Sequence, residues 1–310
     1  MKPQMPPSAT REYNERFNFS ITPRELVESG ASSIHLLLSH SLRESHTFEL
    51  YATLLRMCGS TALFLPFEVN PEDNARLDNL FLEFRRSDVL TTIMVSDPFK
   101  QRVQPYINTF TDRARNTHAV NLISKIGLNV MGDNLDGMAF ALGLKDIEGI
   151  DLTDHSVLFF GCGGVSSAVA ILLAERLRAV GLIDVDHNKA STLCSSLLQF
   201  NPNVSILPCS PPRELTMYNT LYNGTGLGKG MTGDRTPLFD DESTDAMMFI
   251  DAIYTPPTTR FLQQGRKRGA RAINGLSHML ASTALHINII TGQKIPVAKV
   301  AASYLGLHTN

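Results

Sequence analysis

Cysteine is scarce in this sequence. The chain of 310 residues has four, Cys58, Cys162, Cys194 and Cys209; no two form a C-x-x-C pair and none joins a histidine at zinc spacing. Neither a disulfide framework nor a metal site is expected. An excess of positive charge is missing too. Twenty-eight Lys and Arg against 30 Asp and Glu leave a formal charge of −2, which argues against nucleic acid as a partner. No apolar run approaches the roughly 20 residues of a membrane span. The opening "MKPQMPPSATREYNERF" is polar and proline-bearing, without the apolar stretch of a signal peptide. These absences predict a soluble, cytoplasmic protein with no nucleic-acid or membrane partner. What is abundant is core material: 43 % of residues are hydrophobic and 19 % charged, enough for one large domain or two of ordinary size.

Along the chain, residues 1–22 read as a loose arm. "TPRELVESG" (22–30) has the form of a capped helix, with Thr22 as N-cap, Pro23 in the first turn and Gly30 as the stop. Strands are expected at "SIHLLL" (33–38), "ALFLPFEV" (62–69) and "VLTTIMV" (89–95), with a helix over 44–57 and helical segments between the others. That alternation predicts a parallel or mixed sheet. A second alternating set begins at "SVLFF" (156–160). A long apolar helix (167–179) and strands at "GLIDV" (181–185), "VSILP" (204–208) and "AMMFIDAIY" (246–254) follow. "GLSHMLASTALHINIITG" (275–292) reads as a helix with one strongly apolar face. The fold class expected is α/β with two lobes.

The join between strand and helix in the second lobe carries a specific chemistry. "SVLFF" runs into Gly161-Cys162-Gly163-Gly164, and the helix follows directly. Gly161 allows a tight turn and Gly163 lets backbone N–H groups approach a pyrophosphate, while the helix N-terminus favours the anion. Ser166 takes the third small position of the G-x-G-x-x-G/A pattern, and Cys162 reads as a small filler. Asp184 ends the next strand 23 residues after Gly161, near the roughly 20 expected of a carboxylate on a ribose 2′-hydroxyl. An acid there repels a 2′-phosphate and no arginine follows in "DVDHNKA", so NAD is expected over NADP. Asp186 could take the ribose role instead.

A dinucleotide that accepts hydride from an alcohol needs a partner group for the hydroxyl proton. Lys100 in "SDPFK" and Asp136 in "GDNLDG" are candidates, since a desolvated lysine beside a carboxylate can serve as acid and base. At this point the ordered set "VSDPFK", "HAVN" (118–121), "GDNLDG", "GCGGVSSAV", "NGTGLG" (223–228), "DAIYTPPTT" (251–259) and "GLSHML" (275–280) resembles the shikimate/quinate dehydrogenase family over residues 33–292. The resemblance implies a substrate-binding lobe of residues 1–136 and 276–310 around a Rossmann-type lobe of 137–275. It also implies that Lys100 relays the hydroxyl proton, that Asp136 hydrogen-bonds both hydroxyl and ammonium, and that Asn121 and Tyr254 touch substrate. Gly161, Gly163, Gly164, Val165 and Asp184 would hold the cofactor, with Asn223, Thr225 and Gly275 near the nicotinamide.

The departures are equally informative. The family's His-Ser-Leu-Ser-Pro reads "HSLRE" here, so Ser41 remains while Arg43 replaces the second serine. Its Asn-Val-Thr reads "MVS", placing Met94 where an amide is expected and keeping a hydroxyl at Ser96, and its C-terminal glutamine becomes Ser282. Arg43 offers a bidentate fork for a carboxylate, whereas Met94 offers nothing to a hydroxyl. The expected partner is a small carboxylate other than shikimate, oxidised at a ring hydroxyl by a monomer or homodimer. Two alternatives stay open: an ordinary shikimate or quinate dehydrogenase, and a non-catalytic dinucleotide-dependent sensor or binding protein.

Overall fold

The computed structural model describes residues 33–40, 47–210 and 213–308. The expected helix at 22–30 falls outside them, as do Ser41, Arg43 and Glu44. The chain divides into two compact units, Met1–Asn134 with Thr283–Asn310, and Leu135–Ser282.

In the first unit, β1 (Ile34–Ser39), β2 (Leu63–Glu68) and β3 (Leu90–Val95) run parallel with β1 in the middle. Parallel neighbours need long crossovers, and α1 (Thr47–Met57) and α2 (Asn74–Arg86) supply them. The start of α2 is set by Asp73, whose carboxylate accepts the Arg76 N–H at 2.9 Å. Its inner face is Leu77, Leu80, Phe81 and Phe84, all buried at helical spacing. The chain then passes through the one-turn α3 (Phe99–Arg102), the two-residue β4 (Thr109–Phe110) and α4 (Asp112–Thr117) into an antiparallel hairpin, β5 (Leu122–Ile126) and β6 (Asn129–Asp133). The sheet is mixed, in the order β2-β1-β3-β5-β6-β4. Its edges are β2, which carries Pro66, and the short β4.

Within this sheet, on β1, is a histidine that burial keeps uncharged. His35 is 3 % exposed, with Nδ1 2.6 Å from Thr92 Oγ1 and Nε2 2.9 Å from Ser33 Oγ. Burial lowers its pKa from 6.5 to about 4. Below pH 6.5 the unfolded chain takes up a proton that the folded one refuses, so this contribution to stability is present above 6.5 and lost as pH falls toward 4. The loss is on the order of 3 kcal/mol. Thermal unfolding followed by circular dichroism should show Tm dropping over that window. His35→Gln should flatten the drop, and an unchanged slope in the variant would refute the assignment.

The second unit opens with α5 (Asp136–Gly143) and continues as β7 (Ser156–Phe160), α6 (Gly164–Leu173), β8 (Ala179–Ile183), α7 (His187–Leu197), β9 (Val204–Ile206), β10 (Thr220–Asn223), β11 (Met248–Asp251), α8 (Arg260–Lys267) and β12 (Arg271–Ile273). The first turns of α9 (Leu276–Thr291) complete it, and α10 (Val297–His308) belongs to the first unit. All its strands are parallel, in the order β12-β11-β10-β7-β8-β9. This is the doubly wound Rossmann arrangement, whose order reverses between β7 and β10. Strand β7 explains itself: Val157 and Phe159 enter one apolar cluster while Leu158 and Phe160 enter another. A strand buried on both faces reads as an unbroken apolar run.

Several boundaries differ from the sequence expectation. The helix expected over 167–179 begins at Gly164 and gives way at Ala174 to a 3-10 turn. Strand β8 therefore starts at Ala179, not 181. The strand expected over 246–254 ends at Asp251, whose side chain accepts the Ile253 N–H at 3.0 Å and turns the backbone away. Tyr254 lies beyond it, half-buried. No helix among the described residues is long and apolar enough to cross a membrane.

Candidate functional site

The loops that leave β7 and β10 meet where the strand order reverses. Gly161 has φ 85°, a left-handed conformation that favours glycine. A Cβ on it would stand 3.0 Å from the Gly224 carbonyl carbon and the Thr225 nitrogen. The second loop is shaped by Asn223, whose buried amide accepts the Thr225 N–H and Oγ1–H and donates to the Leu227 carbonyl and the Asp251 carboxylate. Asn223 thus acts within the loop, and Thr225 Oγ1 in turn accepts the Leu227 N–H. Gly275 sits where a Cβ would meet the Ala252 carbonyl oxygen at 2.1 Å, so α9 starts hard against the end of β11.

These features suit a dinucleotide. Around Gly163 a Cβ would find nothing within 4 Å, leaving the backbone open. Helix α6 has no side-chain N-cap, so no side chain caps its first turn, where Gly164 and the half-buried Val165 lie. Asp184 Oδ2 accepts the Cys162 N–H at 2.6 Å and Oδ1 accepts the Asp186 N–H at 2.8 Å, tying the end of β8 to the glycine turn. Asp186 caps α7 by accepting the Asn188 N–H. Val185, between the two acids, is 95 % exposed. Burial pushes the Cys162 thiol up to about 12, consistent with a filler and not a nucleophile.

In the first unit, Ser96, Lys100 and Asn121 come together at the end of β3. Val95 N–H donates to the Asn121 carbonyl at 2.8 Å, and Val120 N–H to the Lys100 carbonyl at 2.8 Å. Lys100 is only 7 % exposed, and its Nζ lies 3.9 Å from the exposed Asp97 carboxylate. Ser96 Oγ donates to the Leu38 carbonyl at 3.1 Å, which leaves its lone pairs to accept. Met94 is buried in β3. Asn121 is held through Asp133, whose carbonyl accepts its N–H at 3.0 Å. Burial alone would raise the Asp133 pKa, but hydrogen bonds from Arg113 and Thr111 and the Arg113 charge hold it below the usual range.

In the second unit, Asp136 occupies the first turn of α5 and is buried. A Cβ on neighbouring Gly137 would stand 2.4 Å from the Ala168 carbonyl oxygen, so α5 crosses α6 in backbone contact. His278 Nε2 lies 4.0 Å from Asp136 Oδ1. Its ring meets Phe140 edge-on with centroids 5.9 Å apart, and Tyr222 meets Phe140 edge-on at 5.5 Å. Tyr222 was absent from the sequence reading, and only the fold brings it near residues 86 positions earlier. Ser282 is half-buried on α9.

Residues 37–123 match the family described as Shikimate dehydrogenase substrate binding domain. The chain is 26 % identical over 291 residues to the shikimate dehydrogenase (NADP(+)) of Alkaliphilus metalliredigens, covering 88 % of this chain and 96 % of the relative. The crystal structure of shikimate 5-dehydrogenase from Listeria monocytogenes in complex with shikimate and NAD superposes with a TM-score of 0.77 at 22 % identity, covering 87 % of this chain and 96 % of the other. Quinate dehydrogenase from Corynebacterium glutamicum in complex with NAD gives 0.71 at 19 %, covering 89 % and 99 %. Along most of its length, then, the chain resembles the shikimate/quinate dehydrogenases in sequence and shares their two-domain fold, and residues 37–123 match their substrate-binding domain.

Proposed function

We propose that this protein is an NAD-dependent dehydrogenase of the shikimate/quinate type that oxidises a ring hydroxyl of a cyclic hydroxy-carboxylate other than shikimate. The observation that carries the reading is Lys100: a lysine 7 % exposed, on a single helical turn beside Ser96 and Asn121. Lysine is seldom buried without a task. Bound NAD supplies the hydride acceptor. Lys100 takes the proton that leaves the hydroxyl, and Asp136 orients both hydroxyl and ammonium. Ser96, Asn121 and Tyr254 bind the substrate together with Ser41, Arg43 and Ser282, and Arg43 pairs with its carboxylate. Gly161, Gly163, Gly164 and Val165 would present backbone to the pyrophosphate, Asp184 would take the ribose, and Asn223, Thr225 and Gly275 would hold the nicotinamide end.

The substrate assignment follows from Met94. Its thioether cannot satisfy a ring hydroxyl, and a buried hydroxyl left unpaired costs about 1–3 kcal/mol. The substrate favoured here has fewer or rearranged hydroxyls on that side. NADH formation at 340 nm should appear with NAD and one of a panel of cyclohexane carboxylates, deoxy and amino analogues included. Shikimate or quinate turned over with the highest kcat/KM of the panel would replace this reading with an ordinary dehydrogenase. Silence across the panel with NAD bound would favour the sensor reading.

A further inference from the structure

Asp136 has a neighbour that the proposed chemistry does not use. His278 stands in the first turn of α9, where close packing fixes it. A Cβ on Gly143, at the end of α5, would meet the Ser277 carbonyl oxygen at 2.4 Å, so the two helices touch backbone to backbone at that point. Phe140, one turn after Asp136 on α5, braces the imidazole edge-on at 5.9 Å. His278 is therefore wedged along the α5 face that carries the carboxylate, with Nε2 4.0 Å from Asp136 Oδ1.

A small pocket of about 10 Å³, mostly apolar in its lining, brings together Phe140, Tyr222, Asp251, Ser277 and His278. The Tyr222 hydroxyl is buried with no hydrogen-bond partner, and burial, with Asp136 and Asp251 nearby, raises its pKa. Asp251 is itself raised by burial, against hydrogen bonds from Thr259, Ile253 N–H and Asn223. The titratable groups around His278 are Asp136 of α5, 4.0 Å away, and Tyr222 of β10 and Asp251 of β11, which line the same pocket. Two are carboxyls and one a phenol, so of these four groups only the imidazole can carry positive charge.

We propose that His278 is a positioning residue for Asp136: its imidazole aims and holds the carboxylate that, in the function proposed above and on which this inference rests, orients the reacting hydroxyl and Lys100. With one ring proton it donates toward Oδ1. With a second it becomes a cation beside Asp136 and steadies the ionised carboxylate.

Two variants and two readouts test this. His278→Leu should lower kcat about tenfold with the substrate KM within about twofold, because the carboxylate is misplaced and substrate contacts are not. The acid limb of its kcat/KM profile should move to higher pH, since Asp136 has lost a neighbouring cation. His278→Gln keeps an N–H donor without charge; it should recover most of kcat and keep the shifted limb. A purely structural role would not separate these effects. Independently of turnover, the histidine ring resonance that vanishes in His278→Gln should titrate at a lower pH in Asp136→Asn than in the wild-type protein. An unchanged kcat in His278→Leu, or an identical midpoint with and without the Asp136 carboxylate, overturns the proposal. Should the wild-type protein turn over nothing, the dehydrogenase reading fails by that result, and the titration alone decides whether the two side chains are coupled.

Discussion

Lys100→Ala is expected to lower turnover by about 10²- to 10⁴-fold, the usual share of a general acid–base group. The dissociation constant for NAD, measured by calorimetry, should stay within about twofold. The structure makes this a clean experiment. Helix α3 is anchored through the backbone, where the Lys100 carbonyl accepts the Val120 N–H at 2.8 Å, and alanine keeps that bond. Lys100→Arg sharpens it: a guanidinium retains the charge but does not give up its proton, so arginine should be nearly as inactive as alanine. Activity surviving in either variant would remove Lys100 from the chemistry. NAD-dependent behaviour unaffected by either would favour a sensor.

The second large effect concerns the cofactor. The protein should prefer NAD to NADP by about 100-fold in kcat/KM. A 2′-phosphate set beside the Asp184 carboxylate meets like charge at a cost of several kcal/mol at an effective dielectric near 20. The neighbouring Val185 side chain, 95 % exposed, offers no cation in return. The double variant Asp184→Asn with Val185→Arg should bring the ratio below one. Asparagine keeps one of the two backbone bonds that Asp184 makes, since its carbonyl can still accept the Cys162 N–H held at 2.6 Å, while the Asp186 N–H bond is given up. The curated relative from Alkaliphilus metalliredigens carries NADP(+) in its name, so the measurement bears directly on how this chain differs. Equal use of both cofactors by the unaltered protein would overturn the assignment.

The α/β class was legible because its strands are buried runs. "SVLFF" and "VLTTIMV" announce themselves since both faces of β7 and most of β3 are covered. Helix α6 was placed late because its first residue is Gly164, and glycine's poor helix propensity hides a helix start. The β5–β6 hairpin was overlooked although Gly127, at φ 60°, sits in a two-residue turn between matched strands. Of the candidate site, the glycine turn and Asp184 could be read from spacing alone, because local geometry dictates it. The grouping of His278, Phe140 and Tyr222 about Asp136 could not. Those residues span from 136 to 278 in sequence, and only helix crossings set by Gly137 and Gly143 bring them together.

The edges of the mixed sheet have a practical consequence. An exposed edge strand is a template onto which another molecule can add a strand of its own. Here one edge, β2, contains Pro66, which has no N–H to offer, and the other, β4, is only two residues long. Neither presents the uninterrupted ladder that fibril growth requires. At the concentrations needed for crystals or spectroscopy this sheet should resist edge-to-edge aggregation.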